Sequence, residues 1–384
     1  MDSIVISFVI STYNRREAIL QTLGVLHGPG CSSHSIEIIV VDNASADGTA
    51  DAIALAYPGV RLMRQRINHG SCGKNIGVAA ARGEFIVFLD DDSFPDAGAI
   101  DRMVEYFRGE SRLGAAIFGV RLLSGAQECS AYPEVFAGCG VGLRAAAIAE
   151  VGGLPEDYFM QAEEYDLSLR LLDAGWGVRR FEDLWVTHLK TPRARYPGRV
   201  MRLDVRNNLT LIGRYFPDQW MLPFAADWAN RYRMIAQVHG RLPGYYAGLA
   251  AGITRLAQRR GRRPVSAATF EAFAKIEEIE SHLRWAAKEF NLKRLIFVDL
   301  GKNMLPYWRA ARRIGLEIAG VADAKLGGHG FNYRRTPIVT DLAAGELRFD
   351  GMVVSNLSPV HAGLRREWWR ARTNRPVIDL FEAA

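Results

Sequence analysis

Short apolar runs, each followed by a polar turn, organise the N-terminal part of the chain. Residues 4–11 read Ile-Val-Ile-Ser-Phe-Val-Ile-Ser, and residues 36–41 read Ile-Glu-Ile-Ile-Val-Val. Runs this apolar predict strands buried on both faces, joined by further strands at 60–64 and 85–89. Between them, apolar residues recur at helical spacing over 16–26, 47–57 and 72–81. Strands alternating with helices imply βαβ units and a mostly parallel sheet, in an α/β fold. Ligands of such sheets lie beyond the carboxyl ends of the strands. Asp42 and the run Asp90, Asp91, Asp92 stand at two of those ends.

The pattern then changes. Residues 113–140 suggest short strands and glycine-rich turns, and 163–174 a helix stopped by Gly175. Residues 184–187 form a short strand that leads into His188. From 200 to 290 the chain reads as aromatic- and arginine-rich helices, punctuated by Pro217, Pro223, Pro243 and Pro264. A second alternation follows, with strands at 294–300, 317–322, 352–355 and 376–380 and a helix at 304–314. The expected domains are therefore 1–200, a helical region 201–291, and a small Rossmann-like α/β domain 292–384. Its first strand runs into Val298-Asp299-Leu300-Gly301-Lys302-Asn303, which lacks the glycine fingerprint of a dinucleotide site. An assembly role, such as homo-oligomer formation, is expected of it instead.

Composition adds few constraints. The 384 residues are 49% hydrophobic and 23% charged, a globular balance. Cys31, Cys72, Cys129 and Cys139 form no CxxC pair, so neither a zinc site nor a disulfide framework is expected. No secretory signal is evident, and the most apolar stretch, 242–257, is broken by Pro243 and glycines. The expected location is cytoplasmic. The net charge of +6 includes a cluster of Arg255, Arg259, Arg260, Arg262 and Arg263. Beside the apolar and aromatic residues 242–250, it suits a helical subdomain packed on the core or, as the alternative, peripheral contact with the inner face of a membrane. These cations lie away from the strand ends and lack an aromatic-studded strand, so no nucleic-acid partner is expected.

Chemistry concentrates at the strand ends. Three adjacent carboxylates repel one another unless a cation compensates, and their oxygens suit Mg²⁺ or Mn²⁺; a helix-capping turn is the alternative. Asp42 could accept the N3–H of a uracil or thymine ring, or serve with Ser45 as a helix cap. Thr12, Tyr13, Asn14 and Arg15 offer a hydroxyl, an aromatic face and a guanidinium where a nucleotide would lie.

Taken together these segments resemble the inverting glycosyltransferases of family 2, bacterial and rhamnosyltransferase-like, which have the GT-A fold. The resemblance rests on Thr12 to Arg15, Val41-Asp42-Asn43-Ala44-Ser45, Asn68-His69-Gly70, Asn75-Ile76-Gly77, and Ala81 to Glu84 followed by Phe88 to Asp92. Downstream, Gly152 to Glu156 and Glu163-Glu164-Tyr165-Asp166-Leu167 with Arg170 resemble the turn and acidic motif that carry the family's base. The resemblance covers roughly residues 4–190.

It implies a transferase for hexosyl or deoxyhexosyl groups, using a UDP- or dTDP-sugar and a glycan, lipid-linked or other hydroxyl acceptor. Asp92 and His188 are implied metal ligands. The donor would meet Thr12, Tyr13, Asn14, Arg15, Asp42, Asn43, Asn68, Lys74, Asp90 and Asp91. Glu164 occupies the position of the base, where the family usually has aspartate, so Asp166 stays a second candidate within a cluster that includes Glu163. Rival readings are a sugar nucleotidyltransferase and a non-catalytic nucleotide- or carbohydrate-binding protein. The first usually has a glycine- and arginine-rich loop after the first strand, where this chain has Ser11 to Arg15.

Overall fold

The computed structural model describes residues 4–190, 197–259 and 261–381. The chain divides into two compact units. One comprises residues up to 196 except 131–133; the other comprises 131–133 and everything from 197 onward.

The first unit is built on a nine-stranded sheet. Its chain order is β1 (Ile6–Thr12), α1 (Arg16–Leu26), β2 (Ile36–Asp42), α2 (Thr49–Ala56), β3 (Arg61–Arg64), α3 (Lys74–Ala80), β4 (Phe85–Asp90), β5 (Ser93–Pro95) and α4 (Ala99–Gly109). There follow β6 (Leu113–Leu122), β7 (Gln127–Glu128), β8 (Gly140–Arg144), α5 (Ala145–Val151), α6 (Glu163–Asp173) and β9 (Gly177–His188). In space the strands run β3-β2-β1-β4-β8-β6-β9-β5, with β7 paired to β6. β1 is parallel to both β2 and β4, with Thr12 opposite Asp42 and Ser11 opposite Asp90. The polar residues ending three strands therefore meet along one edge.

The apolar runs explain this half. Ile6, Phe8, Ile10, Val40, Phe85, Val87 and Leu89 are all fully buried, with Ile19 and Leu23 of α1 and Met103 and Phe107 of α4 against them. Each such side chain contributes about 1.5–3 kcal/mol by leaving water. The stretch 113–140, expected as several short strands, instead opens with the ten-residue β6, eight of whose residues are buried. β9 is likewise longer than expected because it pairs along β6.

The second unit begins with the helices α7 (Pro197–Tyr215), α8 (Asp218–Val238), α9 (Leu242–Gln258), α10 (Ala267–Ala274) and α11 (Ile276–Glu289). Pro223, expected to punctuate the helices, lies inside α8, whereas Pro217 caps α8 and Pro243 opens α9. A six-stranded sheet follows: β10 (Arg294–Val298), α12 (Met304–Arg313), β11 (Glu317–Ala322), β12 (Asn332–Tyr333), β13 (Thr336–Val339), α13 (Asp341–Gly345), β14 (Gly351–Val354), α14 (His361–Arg370) and β15 (Val377–Ile378). Its order is β12-β13-β11-β10-β14-β15, parallel apart from β12. Residues 201–291 and 292–384 thus share one compact unit. Polar contacts bind them: Trp228 Nε1 donates to the Lys302 carbonyl at 2.5 Å, Arg231 Nε to the Leu300 carbonyl at 2.7 Å, and Tyr333 Oη to Asp227 Oδ1 at 2.6 Å. Among the described residues, no helix is long and apolar enough to cross a membrane.

Candidate active site

The acidic triplet divides as it leaves β4. Asp91 is 3% exposed and turns back under β1. It accepts a hydrogen bond from Thr12 Oγ1 at 2.8 Å and pairs with Arg15 at 3.0 Å. Burial pushes its carboxyl up to about 7 against the pull of the Arg15 guanidinium, and the charge of Asp92 adds to the rise. Asp90 and Asp92 converge on His188. The antiparallel pairing of β5 with β9 sets Ser93 opposite His188, which brings the triplet beside the end of β9. One ligand atom from each of Asp90, Asp92 and His188 lies within 4.8 Å of the other two.

His188 is held between carboxylates. Nε2 is 3.3 Å from Asp92 Oδ1, and Nδ1 is 2.8 Å from Glu128 Oε2. Burial disfavours the charged ring, but hydrogen bonding to Asp92, Cys139 and Glu128 outweighs it and pushes the imidazole up to about 12. Two carboxylates and an imidazole form an O,O,N donor set suited to Mn²⁺ or Mg²⁺, and a cation would offset the crowded negative charge. The residues present therefore fit a divalent ion. Asp90, expected on the donor, joins Asp92 and His188 in this group.

A second set of acids lies at the start of α6. Glu163 is buried, and Glu164 is partly exposed. Burial, then the neighbouring Glu164 charge, drives the Glu163 carboxyl above its ordinary range. Burial also raises Glu164, opposed by Lys74 and reinforced by Asp90. Lys74 connects the two acidic sets. It is 2% exposed, and its Nζ donates to Asp90 Oδ1 at 2.9 Å and to the Gly138 carbonyl at 2.7 Å. Burial opposes its charge, yet Asp90 outweighs that and raises the ammonium. Gly138 lies against Glu164: a Cβ there would come within 3.2 Å of Glu164 Oε1. Asp166 faces elsewhere. It is 1% exposed and takes Arg170 Nε at 2.7 Å, while the same guanidinium donates to the carbonyls of Val151, Gly152 and Gly153.

Several residues expected on the donor hold the loops that follow β2 and β3. Asn14 sits at φ 53°, and its Oδ1 takes the Ala46 N–H at 2.8 Å, fixing the loop after β2. Asn43 is 2% exposed; it accepts the His69 N–H at 3.2 Å and donates to the Gly70 carbonyl at 3.0 Å. Asn68 Oδ1 accepts the Gly70 N–H at 2.7 Å. Gly70 needs its identity, since it lies at φ 64° and a Cβ would stand 2.2 Å from the Phe159 carbonyl oxygen. Thr12 and Arg15 hold Asp91, and Lys74 holds Asp90 and the Gly138 carbonyl, as described above.

Asp42 ends β2, and Tyr13 directly follows β1. Asp42 Oδ2 accepts the Ser45 N–H at 3.2 Å, while Oδ1 is buried with no hydrogen-bond partner. Tyr13 is 36% exposed. Glu128 and Gly138 carried no signal in the sequence, because each acts through a contact distant along the chain.

Residues 7–121 match the family model described as Glycosyl transferase family 2. Among curated proteins, the chain is 35% identical over 103 residues to the succinoglycan biosynthesis protein ExoO of Rhizobium meliloti, covering 26% of this chain and 29% of that protein. It is 30% identical over 106 residues to a poly(ribitol-phosphate) beta-glucosyltransferase of Bacillus spizizenii, covering 26% and 17%. The chain thus spans less than a third of the length of either relative. Among solved structures, S. aureus TarS 1-349 in complex with UDP-GlcNAc is similar at 15% identity and a TM-score of 0.49, over 82% of this chain and 93% of that one. A mannosyltransferase of Pyrobaculum calidifontis, in complex with GDP-Man and Mn²⁺, is similar at 16% identity and a TM-score of 0.46, over 82% and 87%.

Proposed function

Because residues 7–121 match the model of glycosyl transferase family 2, we propose that the protein transfers a sugar from a nucleoside-diphosphate donor to an acceptor hydroxyl, with inversion at the anomeric carbon, in bacterial surface-glycan synthesis. The observation that carries this reading is that Lys74 links Asp90 to the Gly138 carbonyl, against which Glu164 lies, so the Asp90, Asp92 and His188 group stands near the acids that start α6. Mg²⁺ or Mn²⁺ held by Asp90, Asp92 and His188 would stabilise the charge developing on the diphosphate. Glu164 accepts the proton of the acceptor hydroxyl at a carboxylate oxygen as that hydroxyl oxygen bonds to the anomeric carbon. The bond from that carbon to the diphosphate oxygen breaks in the same step. Asp42 Oδ1 accepts the imide N–H of a uracil or thymine, and Tyr13 lies against the base.

Calorimetric titration of UDP, dTDP and GDP, each with and without Mn²⁺, tests the proposal. The expected result is Mn²⁺-dependent binding of a pyrimidine nucleotide, weakened by Asp42→Ala. A folded protein that binds none of the three would overturn it.

The acceptor belongs to the proposal too, and a lipid-linked hydroxyl fits one surface. On α9 the exposed positions Tyr246, Ala247, Ala250, Ile253, Thr254 and Ala257 recur at helical spacing with no charge among them. Arg255 and the exposed Arg259 and Arg263 lie beside this stripe in sequence; Arg260 lies outside the described residues. An apolar stripe with neighbouring cations suits an anionic lipid surface. The protein is expected to co-sediment with phosphatidylserine vesicles at low salt, and Ile253→Glu to abolish this. Equal recovery of both proteins would remove the membrane from the scheme.

A further inference from the structure

We propose that Glu128 is a positioning residue that fixes the His188 ring for cation binding, an inference that rests on the cation reading of Asp90, Asp92 and His188. Glu128 belongs to none of the recognised motifs. It lies on β7, the short arm that returns beside β6 after a turn at Gly125, with Val120 opposite Glu128. The other side of β6 pairs with β9, where Leu122 stands opposite His188. The hairpin therefore brings a carboxylate to the edge of the imidazole facing away from the acidic triplet.

The geometry sets the tautomer. A carboxylate 2.8 Å from Nδ1 accepts a hydrogen bond and so keeps the ring proton on that nitrogen. In the neutral ring the lone pair is then on Nε2, the nitrogen 3.3 Å from Asp92 Oδ1. Nε2 is buried and faces the acidic triplet. The opposite tautomer would place a proton where a cation needs an electron pair. Carboxylates that orient a ligating histidine in this way commonly change metal affinity by roughly 10- to 100-fold. Lys190 Nζ donates to the other oxygen of Glu128, so the carboxylate is held at both ends. A plain surface ion pair accounts for the Lys190 contact, but not for a carboxylate aligned on the ring nitrogen of a histidine that is itself 6% exposed.

The test measures Mn²⁺ affinity by calorimetry or by paramagnetic resonance of the free ion, on wild type, Glu128→Gln, Glu128→Ala and His188→Ala, each with its thermal melt. Roughly 10- to 100-fold weaker binding is expected for Glu128→Ala. Glu128→Gln should lose less, because its amide oxygen can still accept from Nδ1, and melting should change little in either variant. This graded order is the result a merely structural ion pair would not give. Tight Mn²⁺ binding in wild type, lost in His188→Ala but unchanged in Glu128→Ala, overturns the positioning role alone. No Mn²⁺ binding by folded wild type overturns the cation reading and this inference with it.

Discussion

Glu164→Gln is expected to lower turnover by roughly 10²- to 10⁴-fold, the usual span of a general base, with donor affinity and melting temperature close to wild type. The substitution keeps the size of the side chain and removes only its ability to take a proton. Lys74 already has Asp90 as its ion-pair partner, whereas Arg170 is paired with Asp166. Asp166→Ala should behave in the opposite way. It leaves the Arg170 guanidinium without its buried partner, and breaking a buried pair costs about 3–5 kcal/mol. The segment Val151 to Gly153, which Arg170 also holds, should loosen with it. Steady-state kinetics and melting on the two variants separate these roles. If Glu164→Gln turns over normally while Asp166→Asn is folded and inactive, the base is Asp166.

The pH dependence follows from the same geometry. A base works deprotonated, and burial raises the Glu164 carboxyl above its ordinary range. The acid limb of turnover should therefore lie above the usual carboxylate value of 4.5, with activity rising through it. The stability contribution has the opposite sign. Glu163 and Glu164 both favour the proton more in the fold than in the unfolded chain. Their contribution is full below 4.5 and is lost as pH rises through their folded values. In Glu164→Gln the acid limb should move or vanish.

Asp92→Asn is expected to abolish measurable divalent-cation binding and to lower turnover by roughly 10²- to 10³-fold, the scale of losing one preorganised electrostatic contact. The amide oxygen introduced by this substitution can still accept from Arg15, which also keeps its 3.0 Å pair with Asp91, so the fold should survive. Calorimetry with Mn²⁺ and turnover across a Mn²⁺ series check this. Unchanged metal-dependent turnover would remove Asp92 from the ligand set. Asp91→Asn gives the contrast. That side chain is buried against Thr12 and Arg15, so its loss should appear in melting before it appears in metal affinity.

The sequence by itself determined the scaffold of the first unit. β1, β2 and β4 are apolar runs that no helix period explains, and a βαβ alternation leaves them parallel, with Asp42 and Asp90 at the same edge. It also revealed the acidic start of α6, since carboxylates gather where the helix dipole favours them. In the sheet of the second unit it found β10, α12, β11, β14 and β15, but not β12, β13, α13 or α14. The β13 segment Thr336-Pro337-Ile338-Val339 carries a proline that weakens a strand pattern, and α14 is crowded with charge.

Only the tertiary structure decided which way each acid faces. Asp90, Asp91 and Asp92 are equivalent in composition, yet the middle one is drawn under β1 by Thr12 and Arg15. Glu164 and Asp166 are two residues apart, yet Arg170 claims only the second. His188 reaches the triplet because β5 pairs antiparallel with β9, and Glu128 reaches His188 because β7 folds back on β6. The Thr12–Asp91 and Glu128–His188 contacts join residues 79 and 60 positions apart. Local periodicity reports which face of an element is buried, whereas strand order and register set which distant side chains share that face.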